Sequence, residues 1–524
     1  MNYIKKNFEY FVIATVFIIS FSSVFDSKLD LNGDNFNYLM LSKSLAEGNG
    51  YVSTIMGDKL PVNFYPPGYP AILAVFRLLF GDNVIIFKII NGLFLLISIL
   101  LLFNIGKAIV NRKSVFFSAS ILLLLNYHIM RFSTMVMSEM SFLLFSTLSF
   151  FFLYKLPEDD KYLKSPYFYF LVGSISLAYY IRAIGIVVFL AVVLHYLIRK
   201  QWKLSVCLTS GFILLYLPWS IRNSIYGIKS RYMGTVTTVN PWRPEEGHIT
   251  TIREFISKVI FNFDETVIKG FVDAIFPFMK IDYSNNSTIQ FVVFSLIIFG
   301  IVLLGALKMG RLKYLFVLYI LGNISVLMIW HGGNQIRYII PIIPVICITF
   351  YNGISWIGNK FIKNEKVISG FGYFIIITGL FSIPLMKELA TINSQHYYPP
   401  SYKNYINIAK AIKDNTPQNT IICGRKPEIL YYFANRPSCN YKYSLNPDEV
   451  IHDLMAKKID YVILDQLGYN STEKYLLPAI RANPNLFKVI IHLKNPDTIL
   501  FQFKRSSYSL NNSQKQRKAH GNRR

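Results

Sequence analysis

Five ionisable residues stand where an otherwise apolar chain has least use for them. Asp34 lies in the polar stretch "DLNGDNFNYLMLSKSLAEGNGYVS", directly after the first hydrophobic run. Glu139 lies in "MVMSEMSFLLF", Arg182 in "YYIRAIG", Arg222 in "LPWSIRNSIYG" and Arg337 in "GGNQIRYIIPIIP". A charge at or within a membrane span is costly, so each of these is a functional candidate by default. Their types suit one kind of chemistry. A carboxylate can take a proton from an attacking hydroxyl or amine. Fixed guanidinium groups match phosphate oxygens in geometry and oppose the negative charge that develops there.

The elements that must position them are membrane helices. The chain is 53% hydrophobic and only 16% charged, against about 25% charged in an ordinary soluble globule. Its 54 Lys and Arg against 29 Asp and Glu give a net charge of +25. In a soluble protein that excess would suggest nucleic acid, but here most of the basic residues fall between hydrophobic runs, where they set topology. No nucleic-acid partner is expected.

A span needs roughly 20 apolar residues. Candidate spans lie near 9–26, 83–106, 114–131, 135–154, 166–181, 184–198, 204–221, 289–307, 314–330, 337–357 and 367–386, eleven in all. The first follows Lys5 and Lys6 and lacks a small-residue cleavage site, so it reads as an anchor and not a removable signal. The run "PGYPAILAVFRLLFG" is too short to span and reads as a helix lying in the interface. With the N-terminus in the cytoplasm, "GKAIVNRKS", "YKLPEDDKYLKSP", "RKQWK", "KMGRLK" and "GNKFIKNEK" become short, basic inward loops. The segments 27–82, 222–288 and everything after 387 then lie outside, and all five candidate residues fall at that outer face.

Beyond about residue 400 the pattern alternates between helix-like and strand-like runs, as in "TIICG", "IDYVILD", "FKVIIHL" and "TILFQFKR". Asn446, followed by Pro447, Asp448 and Glu449, is a helix start with a cap, a preset φ and acids at the positive dipole end. A small α/β domain over 391–505 is expected, after a transmembrane domain over 1–390 and before a basic tail, 506–524, without apolar periodicity. Four cysteines make no disulfide framework; Cys423 and Cys439 are close enough in sequence to pair in an exported domain, and the sequence leaves that open.

Each candidate also has a plainer role. An arginine at a helix end can snorkel to lipid headgroups. Glu139 can be a first-turn acid on the helix dipole, and Asp34 an Asx turn or the cap of the helix that follows. Lys88, early in the second span, reads first as an interfacial snorkel. His248 has no second ligand at metal spacing.

In order along the chain come an acid in the first outer loop, "A-x-G-x-G-Y", "PPGYP", an acid heading the fourth span, "R-x-x-G", "LPW-x-x-RN" and "RY-x-x-P-x-x-P". This succession resembles the GT-C superfamily of integral-membrane glycosyltransferases, in the branch of protein O-mannosyltransferases and lipid A aminoarabinose transferases. The resemblance covers roughly residues 1–390. It implies an all-α polytopic bundle with an exported C-terminal domain, in a bacterial cytoplasmic membrane with its active site on the outer side. It implies transfer of a sugar from a polyprenyl-phosphate lipid to a protein, lipid or glycan acceptor. On this resemblance Asp34 matches the catalytic base and Glu139 the second acid. Tyr65, Pro67, Tyr69, Asn223 and Tyr338, in the quoted motifs, are expected to line the substrate pocket. The aminoarabinose branch carries a phosphate-holding lysine near its first-loop proline motif; "FYPPGYP" has none, so Arg182, Arg222, Arg337 or Lys88 would take that role. No cofactor is required, and divalent metal binding would be weak. A transporter or flippase, or a polymerase or ligase of polyprenyl-linked glycans, are the rival readings; the charges at one face and the missing internal repeat disfavour a transporter.

Overall fold

The computed structural model describes residues 7–505 apart from 32, 111–112, 159–160, 229–230, 331–334, 362–375, 377–378 and 395–397. Lys5 and Lys6, the tail 506–524 and most of the expected span at 367–386 lie outside the described residues. The chain forms two compact units. One gathers Met1–Asp30, Asn63–Thr237 and Ile249–His396, the other Leu31–Val62, Thr238–His248 and Tyr397–Arg524.

The first unit is helical, and its helices coincide with ten of the eleven expected runs. Among the described residues five helices are long and apolar enough to cross a membrane: Val84–Ile109, Trp202–Ile225, Ile289–Leu307, Gly310–Ile329 and Ile340–Lys360. Phe8–Val24, Pro166–Ile181 and Ala183–Ile198 are shorter apolar helices, and Glu139–Lys155 has 17 residues. Large apolar side chains such as Leu214, Ile225, Ile289 and Ile297 are exposed along these helices. Helices with such faces suit lipid, where each helix satisfies its own backbone.

The expected span at 114–131 is broken. Lys113–Leu124 and Tyr127–Ser133 meet at 61°. Asn126 makes the break: its side-chain oxygen accepts from the amides of His128 (3.1 Å) and Ile129 (3.2 Å), starting a new helix. Its Nδ2 donates to the Ala274 carbonyl at 2.9 Å. A side chain that caps a helix competes with continuation of the previous one.

Gly68–Phe80 is the short helix expected in the interface. It buries Tyr69, Leu73 and Ala74 and exposes Val75, Leu78, Leu79 and Phe80, the two-faced pattern of a helix half in apolar surroundings.

The second unit is α/β. A two-stranded ribbon pairs β1 (Val52–Ser53) with β2 (Leu60–Pro61). Five further strands form one sheet: β3 (Ile422–Cys423), β4 (Ser438–Cys439), β5 (Tyr461–Leu464), β6 (Phe487–Leu493) and β7 (Thr498–Phe503), in the order β4-β3-β5-β7-β6. The first three in that order run parallel and the last two pair antiparallel. β4 carries no strong strand signal in the sequence. The helix Pro447–Ala456 starts as expected, with Asn446 accepting from the Asp448 amide at 3.0 Å. Cys423 and Cys439 are opposite each other on β3 and β4, and both are free thiols. This unit takes in residues 31–62 and 238–248, which the sequence reading places in the outer loops of the bundle.

The tightest helix crossing supplies a test. Ile289–Leu307 packs on Ile343–Phe361, and a Cβ on Gly305 would collide with the Thr349 carbonyl, as one on Gly353 would with that of Ile301. Small residues let membrane helices approach at their backbones. Gly305→Ala is expected to destabilise the unit by about 1–3 kcal/mol through overpacking. Gly300→Ala, with nothing within 4 Å of the new Cβ, is expected to be silent. Thermal unfolding of the purified variants reads the difference; equal midpoints would overturn the crossing.

Candidate functional site

Glu139 is the first residue of the helix Glu139–Lys155, and none of it is exposed. An acid at a helix start is favoured by the dipole, but this one does more. Its Oε1 meets Arg182 Nη1 at 2.8 Å and Arg337 Nε at 3.3 Å. Arg182 Nη1 also donates to Ser138 Oγ at 3.1 Å. Three of the five residues singled out by charge and position thus converge, from three separate elements. Both arginines are largely covered, with 14% and 28% of their side chains exposed, so neither snorkels into solvent.

The local sequence explains why they meet. The Pro166–Ile181 helix ends at Arg182, whose backbone is extended (φ −144°, ψ 134°) while its amide still bonds the Ala178 carbonyl. The chain turns back over Ala183–Gly185, a tight turn in which a Cβ on Gly185 would collide with the backbone of Ala178 and Tyr179. Arg337 sits in the single turn Gln335–Tyr338, with its guanidinium 5.9 Å from the Tyr338 ring centre.

The "PPGYP" motif braces both sides of the pair. Pro67 is the cap of the Gly68–Phe80 helix. A Cβ on Gly68 would lie 2.7 Å from the Tyr180 carbonyl, two residues before Arg182. Tyr69 is fully buried, and its hydroxyl accepts from Asn91 Nδ2 at 2.9 Å. The same amide group donates to the carbonyls of Met135 and Met137, the segment leading into Glu139. Asn91 is a positioning residue that the sequence reading missed; its signal was an amide inside an apolar span.

Arg222 lies between aromatic rings. It is half-buried, packed 4.8 Å from the Trp219 ring and 5.3 Å from Tyr226, and donates to Asn223 Oδ1 at 2.9 Å. Tyr65 is half-buried and packs edge-on against Phe64.

Lys88 corrects the snorkel reading. It is fully buried, with Nζ 2.7 Å from Asp26 and 3.3 Å from Asp30. Lys28 holds the other oxygen of Asp26 at 3.1 Å. Two carboxylates immediately after the first hydrophobic run neutralise a lysine of the second, a partnership invisible until the helices pack. Burial holds the Asp30 carboxyl above its ordinary range, although Lys88 beside it pulls the other way.

Asp34 belongs to the α/β unit, where it occupies the cap position of the helix Asn35–Ala46. Its carbonyl accepts from the Tyr38 amide at 3.0 Å, and its half-buried side chain makes no capping bond. The capping role weighed from sequence is therefore not the use of this carboxylate. Among the described residues no group of three His, Cys, Asp or Glu is placed to hold a metal ion.

A family model described as dolichyl-phosphate-mannose-protein mannosyltransferase matches residues 65–220, a stretch that includes Tyr65, Lys88, Glu139 and Arg182. The backbone is similar to the Archaeoglobus fulgidus oligosaccharyltransferase, crystallised with a tethered acceptor peptide, at TM-score 0.60 and 12% identity over 96% of this chain and 75% of that one. It is similar to ArnT from Cupriavidus metallidurans bound to undecaprenyl phosphate at TM-score 0.56 and 11% identity, over 94% and 97% of the two chains. Apo ArnT gives TM-score 0.57 and 12% identity over 94% and 98%. The chain has the GT-C fold. No curated protein matches it in sequence. At 11–12% identity the shared feature is the fold.

The buried Lys88 network is testable. Removing the buried cation that pairs with both acids leaves charge uncompensated, so Lys88→Met is expected to cost roughly 3–5 kcal/mol. Asp26→Asn should cost less, and Asp30→Asn least. Because the Asp30 pKa is raised on folding, the native state keeps this proton to higher pH than the unfolded chain. Its contribution favours folding at acid pH and is lost as pH rises through the folded-state value. Thermal unfolding at mildly acid and neutral pH should show this component in the parent and not in Asp30→Asn. A Lys88→Met protein as stable as the parent would refute the network.

Proposed function

We propose that this protein is a glycosyltransferase that moves a sugar from a polyprenyl-phosphate lipid to an acceptor at the non-cytoplasmic face of the membrane. The observation that carries the reading is the single buried carboxylate shared by Arg182 and Arg337. The shared carboxylate fixes two guanidinium groups side by side, and fixed donors of that kind suit a phosphate that gains charge as it departs. The GT-C fold and the neighbour crystallised with undecaprenyl phosphate support it.

The step is a single displacement. The acceptor oxygen or nitrogen attacks the anomeric carbon as the bond from that carbon to the phosphate oxygen breaks, which inverts the centre. The acceptor proton passes to Asp34, and polyprenyl phosphate leaves. The leaving group is a weak base, so no general acid is needed. Arg182 and Arg337 oppose its charge with fixed donors, Glu139 holds the two in place, and Arg222 assists the donor phosphate. Tyr65, Pro67, Tyr69, Asn223 and Tyr338 shape the pocket. The scheme uses no cofactor.

A single-turnover assay with a radiolabelled polyprenyl-monophosphate sugar and membrane extract as acceptor pool tests it. Label is expected to reach a product with the parent protein. Asp34→Asn should lose about 10²–10⁴-fold, the usual worth of a general base, while remaining folded. Glu139→Gln, which keeps the shape and removes the charge, should lose about 10²–10³-fold. Full activity in Asp34→Asn would sink the assignment of the base. Transfer only from a diphosphate-linked oligosaccharide would favour a polymerase or ligase instead.

A further inference from the structure

The α/β unit carries a second constellation. In its parallel strands the chain leaves β3 towards β4 on one side, whereas β5, on the other side of β3, leads on to β6 and β7. The connections diverge between β3 and β5. In open α/β sheets that divergence opens a crevice beyond the carboxyl ends of the strands, where ligands bind.

The residues that follow these strand ends are chemically distinctive. After β3 comes Arg425, whose guanidinium carbon lies 4.3 Å from the ring centre of Tyr469, 5.6 Å from Tyr443 and 5.8 Å from Trp242. Tyr443 follows β4 and Tyr469 follows β5. Lys426 Nζ adds a second cation 5.0 Å from Tyr469. Among the described residues the Arg425 side chain has no ion pair or hydrogen bond, and its Nε is buried without an acceptor. The nearby carboxylate of Asp465 accepts from the Leu467 amide at 3.2 Å, from the Thr472 hydroxyl at 3.4 Å and from the backbone amide of Arg425, whose guanidinium it attracts without a hydrogen bond. A buried guanidinium donor without an acceptor calls for an explanation.

Trp242 is held there by design of the inserted segment. Thr238 and His248 bridge its two ends. Glu245 pins it to the sheet unit through an ion pair with Lys474 and a 2.6 Å hydrogen bond from the Tyr475 hydroxyl. Three residues before this anchor, Trp242 stays 59% exposed. An indole kept open beside an unsatisfied guanidinium is the pairing of a stacking face with an anion fork.

We propose that this crevice binds a saccharide carrying an acidic group, a carboxylate or a phosphate. The sugar ring stacks on Trp242, and Arg425, supported by Lys426, takes the anion. The site is built wholly from residues of the α/β unit and does not depend on the transfer reaction proposed above.

The test uses the full-length protein in nanodiscs of zwitterionic lipid, which carry no sugar headgroups. Saturation-transfer NMR titrations would compare glucuronic acid, glucose 1-phosphate, glucose and inorganic phosphate. Glucuronic acid and glucose 1-phosphate are expected to bind at least tenfold more tightly than glucose and than phosphate alone. Arg425→Gln should abolish the preference for the acidic sugars, and Trp242→Ala should weaken both acidic sugars at least tenfold while leaving phosphate unchanged. Asp34→Asn should bind like the parent, separating this site from the transfer reaction. Trp242 is exposed, so its variant stays informative even if Arg425→Gln loses its thermal transition. Equal binding of glucose, phosphate as tight as glucose 1-phosphate, or parent-like binding by both variants would each overturn the proposal.

Discussion

A carboxylate with no exposed surface sits at the head of the Glu139–Lys155 helix, and much of the helical unit is arranged around keeping it partnered. Glu139 cannot be left buried and alone; its two arginines come from a helix end and from a turn some 150 residues further along the chain. Meeting that demand fixes how the Pro166–Ile181 helix ends and where the Gln335–Tyr338 turn lies. It also explains why the proline-glycine motif belongs to the same machinery. Gly68 fits against the backbone just before Arg182, and Tyr69, through Asn91, holds the carbonyls just before Glu139. One motif steadies both partners.

A second buried charge follows the same logic with a different outcome. Lys88 is satisfied by Asp26 and Asp30, and Asp26 in turn by Lys28. Here cation and anions are nearly balanced and closely enclosed, as in a structural tie between the end of the first helix and the start of the second span. At Glu139 the order is reversed: one buried acid holds two arginines, and the Arg337 side chain keeps 28% of its surface. Lys88, by contrast, is wholly enclosed between its two acids.

Much of this was legible in the sequence, for a definite reason. Charge is so costly in an apolar span that Glu139, Arg182 and Arg337 stand out singly, and topology predicts that they share a level. Which charges pair is a different matter. Arg222 carries the same signal, yet it stacks on Trp219 and Tyr226. Lys88 shows in the sequence, but its neutralisation by Asp26 depends on two helices packing, and nothing local announces that. The break at Asn126 was hidden because an apolar run reads the same whether or not its asparagine turns to cap a new helix. In the α/β unit, alternation revealed β5, β6 and β7, whereas the two-residue β4 is too short to carry a period.

Segment 238–248 marks the deeper limit. As sequence it is a polar loop with a tryptophan, an arginine and two glutamates, and nothing in the spacing says what Trp242 is for. Its role emerges only from Glu245, which reaches Tyr475 and Lys474 and so brings the indole to Arg425. A hydrogen bond between residues more than two hundred positions apart cannot be read from periodicity. The rest of the constellation follows from fold-level geometry, since Arg425, Tyr443 and Tyr469 come after the carboxyl ends of neighbouring parallel strands, which converge whatever their separation in the chain. That convergence is why a chain whose spans announce one site through the cost of charge can hold another that its sequence does not announce at all.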